Sequence, residues 1–235
     1  MQQTIITLLG SAGGVARSVL SIFNKSVNDL NDPIHPFLKN AVLHLIDHQQ
    51  KEADYYQTFF PNLKDLLVLH EFDLKDTARF TDHLIQTKTS IVVDVSWADT
   101  AEMLKCCDLE GVSYINTALE NTMIDENEEE FAGFPLIERL RRFEEAKQSI
   151  TNTKAIIGSG MNPGVVQWMA LELMKIRPDQ TPLACYIVEY DSSFFKNKQT
   201  AEKETIYTTW SPECFLDEAI SSYPMFMKNK TPLFL

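Results

Sequence analysis

The segment Thr4-Ile-Ile-Thr-Leu-Leu-Gly-Ser-Ala-Gly-Gly-Val-Ala16 lies near the start of this 235-residue chain and sets the expectation for its fold. Its apolar half, which ends at Leu9, is typical of a short buried strand. The glycine-rich half is followed by Val19, Leu20 and Phe23, whose spacing indicates one face of a helix. The segment therefore predicts a strand, a tight glycine turn and a helix in succession.

The glycine turn carries the residue types that binding of a diphosphate requires. Gly10, Gly13 and Ala16 form the pattern G-x-x-G-x-x-A, and counting from Ser11 keeps the spacing of G-x-G-x-x-G with Ser as its first residue. Small residues let a diphosphate approach the backbone N–H groups at a helix N-terminus. A purely structural turn is the alternative. The residues expected to bind a dinucleotide here are Gly10, Ser11, Gly13, Gly14 and Val15.

Strands and helices are predicted to alternate along the chain up to residue 160. Further strands are predicted at 41–46, 66–69, 91–93, 112–116 and 153–158, and helices at 75–86, 100–109 and from Pro135 onward. Residues 24–39, with Pro33 and Pro36, are interpreted as a surface loop. This order predicts an α/β fold, a Rossmann-type doubly wound parallel sheet, as the dinucleotide-binding domain in residues 1–160.

Residues 161–235 are predicted to be the start of a second, α+β domain for substrate binding or dimerisation. Asn162-Pro163-Gly164 is expected to open a helix that reaches Lys175, with Asn162 as the N-cap and Pro163 at the first helical position. Residues 185–191 alternate as a strand does. The sequence after Thr205 does not have the pattern of a finished domain, so we expect either a fragment or a naturally short protein.

Asp47 follows the second predicted strand, where dinucleotide-binding folds place an acidic residue. Its carboxylate can accept hydrogen bonds from the hydroxyls of an adenosine ribose and would repel a 2′-phosphate, which favours NAD over NADP as the cofactor. Its separation from the glycine turn exceeds the usual ~20 residues. An ordinary polar residue at a strand end is the alternative.

Other polar side chains follow the fourth and fifth predicted strands, at the edge where open α/β folds bind cofactor and substrate. They are Asp94, Ser96, Thr117 and Glu120. Farther along, Glu189, Trp210 and Glu218 provide carboxylates and an aromatic face, which are the groups that recognise an ammonium ion. For both sets, ordinary surface or core positions are the alternative.

Composition limits the classes of partner. The net charge of −12 and a pI near 4.8 argue against nucleic acid, because such a surface repels phosphates. The four cysteines form no C-x-x-C pair and no histidine lies at ligand spacing from them, so no metal site is predicted, and the adjacent Cys106 and Cys107 are interpreted as reduced packing residues. Without a recognisable signal peptide or a bilayer-length apolar run, the protein is expected to be cytoplasmic with no membrane partner. A homodimer is left open.

Six stretches of the sequence resemble the saccharopine dehydrogenase superfamily, and within it the homospermidine synthases. They follow in family order at residues 8–16, 92–96, 111–120, 159–166, 189–191 and 209–211. Asn162-Pro163-Gly164 and Thr209-Trp210-Ser211 are the more specific matches, whereas the first stretch is shared by many dinucleotide-binding proteins.

The resemblance implies an NAD-dependent enzyme of polyamine metabolism that moves a hydride through an imine intermediate. A diamine is oxidised, ammonia is lost, a second amine is joined and the hydride returns to the new imine. Ser96, Thr117 and Glu120 would lie near the nicotinamide. The residues that the resemblance implies for the amine pocket, as catalytic residues, are Asp94, Asn162, Glu189, Trp210 and Glu218.

The chain departs from the homospermidine synthases in two ways, and two other functions stay open. The glycine turn is not the usual G-x-G-x-x-G, and these enzymes are much longer, with further substrate residues beyond the equivalent of residue 235. A saccharopine- or carboxynorspermidine-type dehydrogenase would need Arg or Lys for a substrate carboxylate, and the scarcity of basic residues near the motifs favours a diamine. A non-catalytic NAD-binding module would hold the cofactor without turnover.

Overall fold

A computed structural model describes residues 3–127, 130, 135–188, 225–228 and 231–234 of the chain. Its main sheet is built from β1 (Ile5–Leu9), β2 (Val42–Asp47), β3 (Leu67–Glu71), β4 (Ile91–Asp94), β5 (Ser113–Asn116) and β6 (Ala155–Ile156). All pairings are parallel, and the strand order is β3-β2-β1-β4-β5-β6. Beyond this sheet, β7 (Met225–Lys228) and β8 (Thr231–Phe234) form an antiparallel pair.

Helices cover both faces of the sheet, because alternate residues of each strand point to opposite sides. The described helices are α1 (Gly14–Ser26), α2 (His35–Leu38), α3 (Ala53–Phe59), α4 (Thr77–Thr87), α5 (Thr100–Glu110), α6 (Thr122–Asp125), α7 (Pro135–Lys147) and α8 (Val165–Ile176). Leu8 and Leu45 pack in one buried cluster with residues of α1, α2 and α3. Leu9 and Ile46 pack in a second cluster with residues of α4 and α5. The predicted doubly wound parallel sheet is therefore confirmed.

The winding of the sheet reverses at β1. This strand pairs with β2 on one side and with β4 on the other, so the connections that follow β1 and β4 leave in opposite directions. Such a reversal opens a crevice at the carboxyl ends of the strands, and ligands of open α/β sheets bind there.

The surface loop predicted over residues 24–39 is confirmed for residues 27–34 and wrong at both ends. Helix α1 continues to Ser26, and α2 occupies His35–Leu38, where Leu38 is 1% exposed. Pro36 lies in the first turn of α2, where a missing N–H group costs no helical hydrogen bond. The proline therefore belongs to a helix start.

Two predicted strands, at residues 153–158 and 185–191, differ from what the structure shows. β6 spans only Ala155–Ile156, because Thr153 N donates to the Asp108 carboxylate and Gly158 N to the Asn116 side chain, so neither end extends the strand. Residues 185–188 show no regular structure where a strand is predicted, and 189–191 lie outside the described residues.

Helix α8 begins at Val165, so Asn162 is not its N-cap. The N-cap is Gly164, whose φ of +130° is accessible to glycine, and its N–H donates to Oε1 of Gln167 at 2.6 Å. The Asn162–Pro163 peptide bond is cis. Proline is therefore two residues before the helix and not at its first position.

Two expectations from composition can be compared with the structure. Cys106 and Cys107 are free and buried, as predicted for packing residues. In the described part of the chain, each helix is too short or too polar to pass through a lipid bilayer.

Candidate functional site

The turn between β1 and α1 presents backbone N–H groups at the start of a helix. Gly13 is the N-cap of α1, and the first intrahelical bond runs from Arg17 N to Gly13 O at 3.1 Å. The amides of Gly14, Val15 and Ala16 precede that bond and have no partner within the helix. Among the described residues, no side chain caps this helix and none in its first turn is acidic. The N-terminus of α1 is therefore suited to an anion.

Gly10 brings this turn against the loop that follows β4. Its φ of +73° is left-handed, and a Cβ atom placed on it would lie 2.8 Å from Cα of Ser96 and 2.9 Å from O of Val95. The amides of Gly10 and Ser11 both donate to O of Ile46, at 3.0 and 3.2 Å. Only glycine fits this position, and the structure brings Gly10, Ser11 and Ser96 together at one edge.

Asp47, the last residue of β2, holds the glycine turn with its carboxylate. Oδ2 accepts a hydrogen bond from Ala12 N at 3.0 Å, and Oδ1 accepts one from Gln49 N at 3.0 Å. Oδ1 also lies 3.3 Å from Nδ1 of His48, so Oδ2 is the oxygen whose further lone pair could accept from a ribose hydroxyl. The structure thus places Asp47 beside the turn, and its contact with a cofactor stays a prediction.

Gln50 and Tyr56 support the same turn and were not found by sequence reasoning. Tyr56 is 1% exposed, and its hydroxyl donates to Oε1 of Gln50 at 2.6 Å and lies 3.2 Å from O of Ser11. Nε2 of Gln50 donates to Oγ of Ser11 at 3.0 Å and to O of Leu45 at 2.8 Å. No motif marks these two residues, because their contacts arise only when α3 folds back onto the turn.

Asp94 lies beneath the edge and forms a buried polar network. It is 4% exposed; its Oδ1 accepts from N and Oγ of Ser96 at 2.9 and 2.7 Å, and its Oδ2 accepts from the Tyr114 hydroxyl at 2.7 Å. Burial raises the pKa of Asp94 even though these hydrogen bonds lower it. Asp94 therefore fixes the loop that carries Ser96, and its contact with a substrate stays a prediction.

Glu120 follows β5 and is half-buried at the same edge. Its backbone is held by Thr100, since Glu120 N donates to Thr100 Oγ1 at 3.0 Å and Thr100 N donates to Glu120 O at 3.1 Å. Burial raises the pKa of the Glu120 carboxyl to about 7, although the charge of Arg139 opposes the shift. A carboxyl group with this pKa can both accept and release a proton near neutral pH.

The segment before α8 lies against the end of β5. A Cβ atom on Gly160 would lie 2.8 Å from O of Thr117, and Ser159 N donates to O of Asn116 at 2.7 Å. These close backbone contacts bring the turn that contains Asn162 to the carboxyl edge. Thr117 and Asn162 therefore belong to the same side of the candidate site, although their roles stay predictions.

Three predicted site residues, Glu189, Trp210 and Glu218, lie outside the described residues. Their role in binding an amine stays a prediction. Trp97, which sequence reasoning did not select, directly follows Ser96 and is 67% exposed. No sequence pattern marks a single aromatic residue in a loop as part of a site. Because Trp97 is exposed beside the crevice, its fluorescence can report on binding there.

No protein-family model matches this chain, and comparison with curated protein sequences finds no match. Solved structures do match it at low identity. The Bordetella bronchiseptica enzyme WbmG, in complex with NAD, is 15% identical with a TM-score of 0.35, and the match covers 50% of this chain and 38% of that one. L-threonine dehydrogenase from Clostridium difficile is 9% identical with a TM-score of 0.39, and the match covers 67% of this chain and 53% of that one.

UDP-glucose 4-epimerase from Bifidobacterium longum, in complex with NAD+ and UDP, is 9% identical with a TM-score of 0.42. This match covers 66% of the chain and 52% of the epimerase. The chain thus spans roughly two fifths to one half of the length of these structures. The resemblance to the homospermidine synthases stays a prediction.

Proposed function

We propose that this chain binds NAD in the crevice between the β1 and β4 loops and acts as an NAD-dependent oxidoreductase on amines. The observation that carries the proposal is the β1–α1 turn, where Gly10 closes the turn and α1 begins with uncapped amides. A Cβ atom on Gly14 would meet no atom within 4 Å, so the space in front of the helix is open. A diphosphate fits this combination of free N–H groups and open space.

The side of the crevice next to β2 favours NAD over NADP. Asp47 is fixed by the Ala12 and Gln49 amides, so its carboxylate cannot easily turn away from an incoming ribose. A carboxylate there accepts hydrogen bonds from ribose hydroxyls and repels a 2′-phosphate. The fixed position of Asp47 therefore supports NAD as the cofactor.

The side next to β5 supports amine chemistry. An amine must lose a proton before it can give up a hydride, since an ammonium nitrogen has no lone pair to stabilise the resulting cation. Glu120, with its pKa raised to about 7, would take one proton from the ammonium group, and bound NAD would supply the acceptor for the hydride whose loss converts the amine to an iminium ion. The resemblance to homospermidine synthases makes a diamine the expected substrate.

A binding titration tests the cofactor proposal. Quenching of tryptophan fluorescence by NAD and by NADP is measured for the native chain and for Gly14→Val, whose added side chain would occupy the open space before α1. We expect Gly14→Val to weaken NAD binding by roughly tenfold or more, about 1.4 kcal/mol. Ser18→Val, which adds the same side chain one turn later on α1, should bind NAD as the native chain does. No affinity for NAD, or equal affinity in both variants, would refute the proposal.

Turnover is tested separately, with NAD and putrescine as the probes. Ammonia release and the products are followed by mass spectrometry, with a panel of other amines and with a keto acid plus an amine. Products from putrescine support the diamine activity, whereas products only from the keto acid support the saccharopine-type alternative. NAD binding with no product from any substrate would overturn the enzymatic part and leave an NAD-binding module.

A further inference from the structure

Three histidines from separate elements meet on the face of the sheet that is covered by α4. His44 and Ile46 are two residues apart in β2, so their side chains point to the same face of the sheet. His70 of β3 is the register partner of Ile46, so its side chain points to that face as well. His83 of α4 approaches this face from above, and α4 packs there through Phe80. The three imidazoles are distinct from the residues proposed to bind the cofactor, although Nε2 of Gln50, which supports the glycine turn, also donates to O of His70 at 3.3 Å.

The geometry of this cluster is that of a ligand set. One ring nitrogen from each histidine lies within 4.8 Å of the others. Nδ1 of His44 is 2.8 Å from Nε2 of His70, and the ring of His83 lies edge-on to both, with centroids 5.2 and 4.6 Å away. Tetrahedral Zn²⁺ with Zn–N bonds of ~2.0–2.1 Å separates its ligand nitrogens by ~3.3 Å. The nitrogen separations in the cluster, 2.8 Å for His44 and His70 and at most 4.8 Å within the set, lie on both sides of that spacing.

The surroundings of the three imidazoles lower their pKa values. Burial lowers the pKa of His44 to about 4 and that of His83 to about 3, and the neighbouring imidazoles add to both shifts. Burial and then the charge of Arg79 lower the pKa of His70. Between Nδ1 of His44 and Nε2 of His70 one nitrogen donates and the other accepts, so a bound ion would replace this hydrogen bond.

Hydroxyl groups hold the buried member of the cluster in place. Oγ1 of Thr7 contacts Nε2 of His83 at 3.3 Å and Oγ1 of Thr89 at 2.8 Å, and Thr89 in turn contacts Oγ1 of Thr87 at 2.7 Å. His83 is 8% exposed, so this hydroxyl chain restricts its ring from within the core. Ligand imidazoles of metal sites are oriented by hydrogen bonds of this kind.

We propose that His44, His70 and His83 bind one divalent transition-metal ion of the zinc class. Imidazole nitrogens are ligands for Zn²⁺, Co²⁺, Ni²⁺ and Cu²⁺, whereas Mg²⁺ and Ca²⁺ prefer oxygen. A fourth position is taken by water. The ion joins β2, β3 and α4, so its role is to stabilise this half of the sheet. The sequence predicts no metal site, because these ligands are 26 and 13 residues apart and match no motif.

The test uses the full chain without an affinity tag, freed of metal by a chelator and titrated with Co²⁺ and Zn²⁺. We expect one ion per chain, visible Co²⁺ absorption bands of a tetrahedral or five-coordinate site, and no thiolate-to-metal charge-transfer band. X-ray absorption of the Zn²⁺-loaded chain should show imidazole and oxygen neighbours without sulfur. This measurement needs no variant and excludes binding at the exposed Cys185.

Variants then assign the ligands. His44→Ala, His70→Ala and His83→Ala should each weaken binding by roughly 100-fold or more, since even changes around metal ligands weaken affinity by about 10–100-fold. His35→Ala, a half-buried histidine of α2 outside the cluster, should bind as the native chain does. Zn²⁺ should raise the Tm of the native chain and of His35→Ala only. Absence of stoichiometric binding, sulfur ligation, or equal binding by the cluster variants and His35→Ala would overturn the proposal.

Discussion

Glu120 lies at the carboxyl edge of the sheet, in surroundings that disfavour the charged form of its side chain. Its pKa is raised to about 7, so the folded chain holds a proton that the unfolded chain, with a pKa near ~4.3, has already released. The carboxylate form is therefore disfavoured in the folded state. The contribution of Glu120 to native stability should fall as the pH rises from about 4.5 to about 7 and then stay level.

Replacing Glu120 with Gln removes this pH-dependent penalty. Glu120→Gln should be nearly neutral at pH 4.5 and more stable than the native chain at pH 8 by ~1–2 kcal/mol, a value reduced for the partial exposure of the carboxyl. Urea unfolding at several pH values measures the difference, and Glu110→Gln, at the solvated end of α5, is the matched control. A constant difference between Glu120→Gln and the native chain at every pH would show that the carboxyl titrates normally.

Gly10 and Gly14 differ in what a side chain would meet, although both belong to the same turn. Gly10→Ala places a methyl group against the backbone of Ser96 at a φ of +73°, so we expect a loss of ~2–4 kcal/mol in the free energy of unfolding. Gly14→Ala meets no atom within 4 Å and should change stability by ~1 kcal/mol or less, in the stabilising direction. Denaturant unfolding compares the two, and similar effects would contradict the close contact at Gly10.

At the scale of elements, Asp108 connects the C-terminal end of α5 to the segment that leads into β6. Its Oδ1 accepts from the amides of Thr151, Asn152 and Thr153, at 2.9, 2.5 and 2.9 Å. Although burial raises it, these three hydrogen bonds lower the pKa of Asp108 below its ordinary value. The charged carboxylate of Asp108 therefore accepts the hydrogen bonds of three backbone amides that precede β6, as a neighbouring strand would do.

Asp108→Ala leaves those amides without their acceptor. We expect a loss of ~1.5–3 kcal/mol at pH 7, the range for hydrogen bonds to a charged group. Because the folded pKa is lowered, the contribution of Asp108 is present above the unfolded pKa near ~3.9 and is lost as the pH falls through the folded value. Unfolding at pH 7 and at pH 2.5 measures this, and an equal loss at both pH values would exclude a charged acceptor.

The elements were predictable where the sequence pattern is local and periodic. The apolar runs of β1, β2 and β4 and the Gly111 stop of α5, with its φ of +64°, are local signals, and the structure confirms them. Helix α3 was not predicted, because its aromatic residues suit a strand as well as a helix and only packing distinguishes the two. The same holds for Gln50 and Tyr56, whose hydrogen bonds to Ser11 link residues that are distant in sequence.

For the site as a whole, the sequence predicted only which residues lie at the carboxyl edge of the sheet. Parallel strands place Gly10, Asp47 and Ser96 at one end of the sheet, and this follows from the alternation of elements alone. Which of these side chains are buried does not follow. Asp94 differs from Glu120 because Ser96 and Tyr114 cover its carboxylate, and the contact with Tyr114 depends on the register between β4 and β5.

At the scale of the whole molecule, a ligand of the crevice should stabilise the entire sheet, because its binding residues come from the loops after β1, β2 and β4. At a concentration of about 100 times its Kd, NAD should add ~2.7 kcal/mol to the free energy of unfolding. For a domain of this size that corresponds to a rise in Tm of roughly 5–10 °C. NADP at the same concentration should raise the Tm by less, because of the Asp47 carboxylate.

Asp47→Asn removes the negative charge of this side chain but keeps an oxygen that can accept a hydrogen bond. The amide keeps an oxygen that can accept from Ala12 N, so the glycine turn should stay in place, but the repulsion of a 2′-phosphate is removed. The rises in Tm caused by NAD and NADP should therefore become similar in Asp47→Asn, while Asp54→Asn, an exposed carboxylate of α3, keeps the native difference. Differential scanning fluorimetry with both cofactors makes the comparison. If Asp47→Asn kept the full preference for NAD, discrimination would have to arise from another part of the crevice.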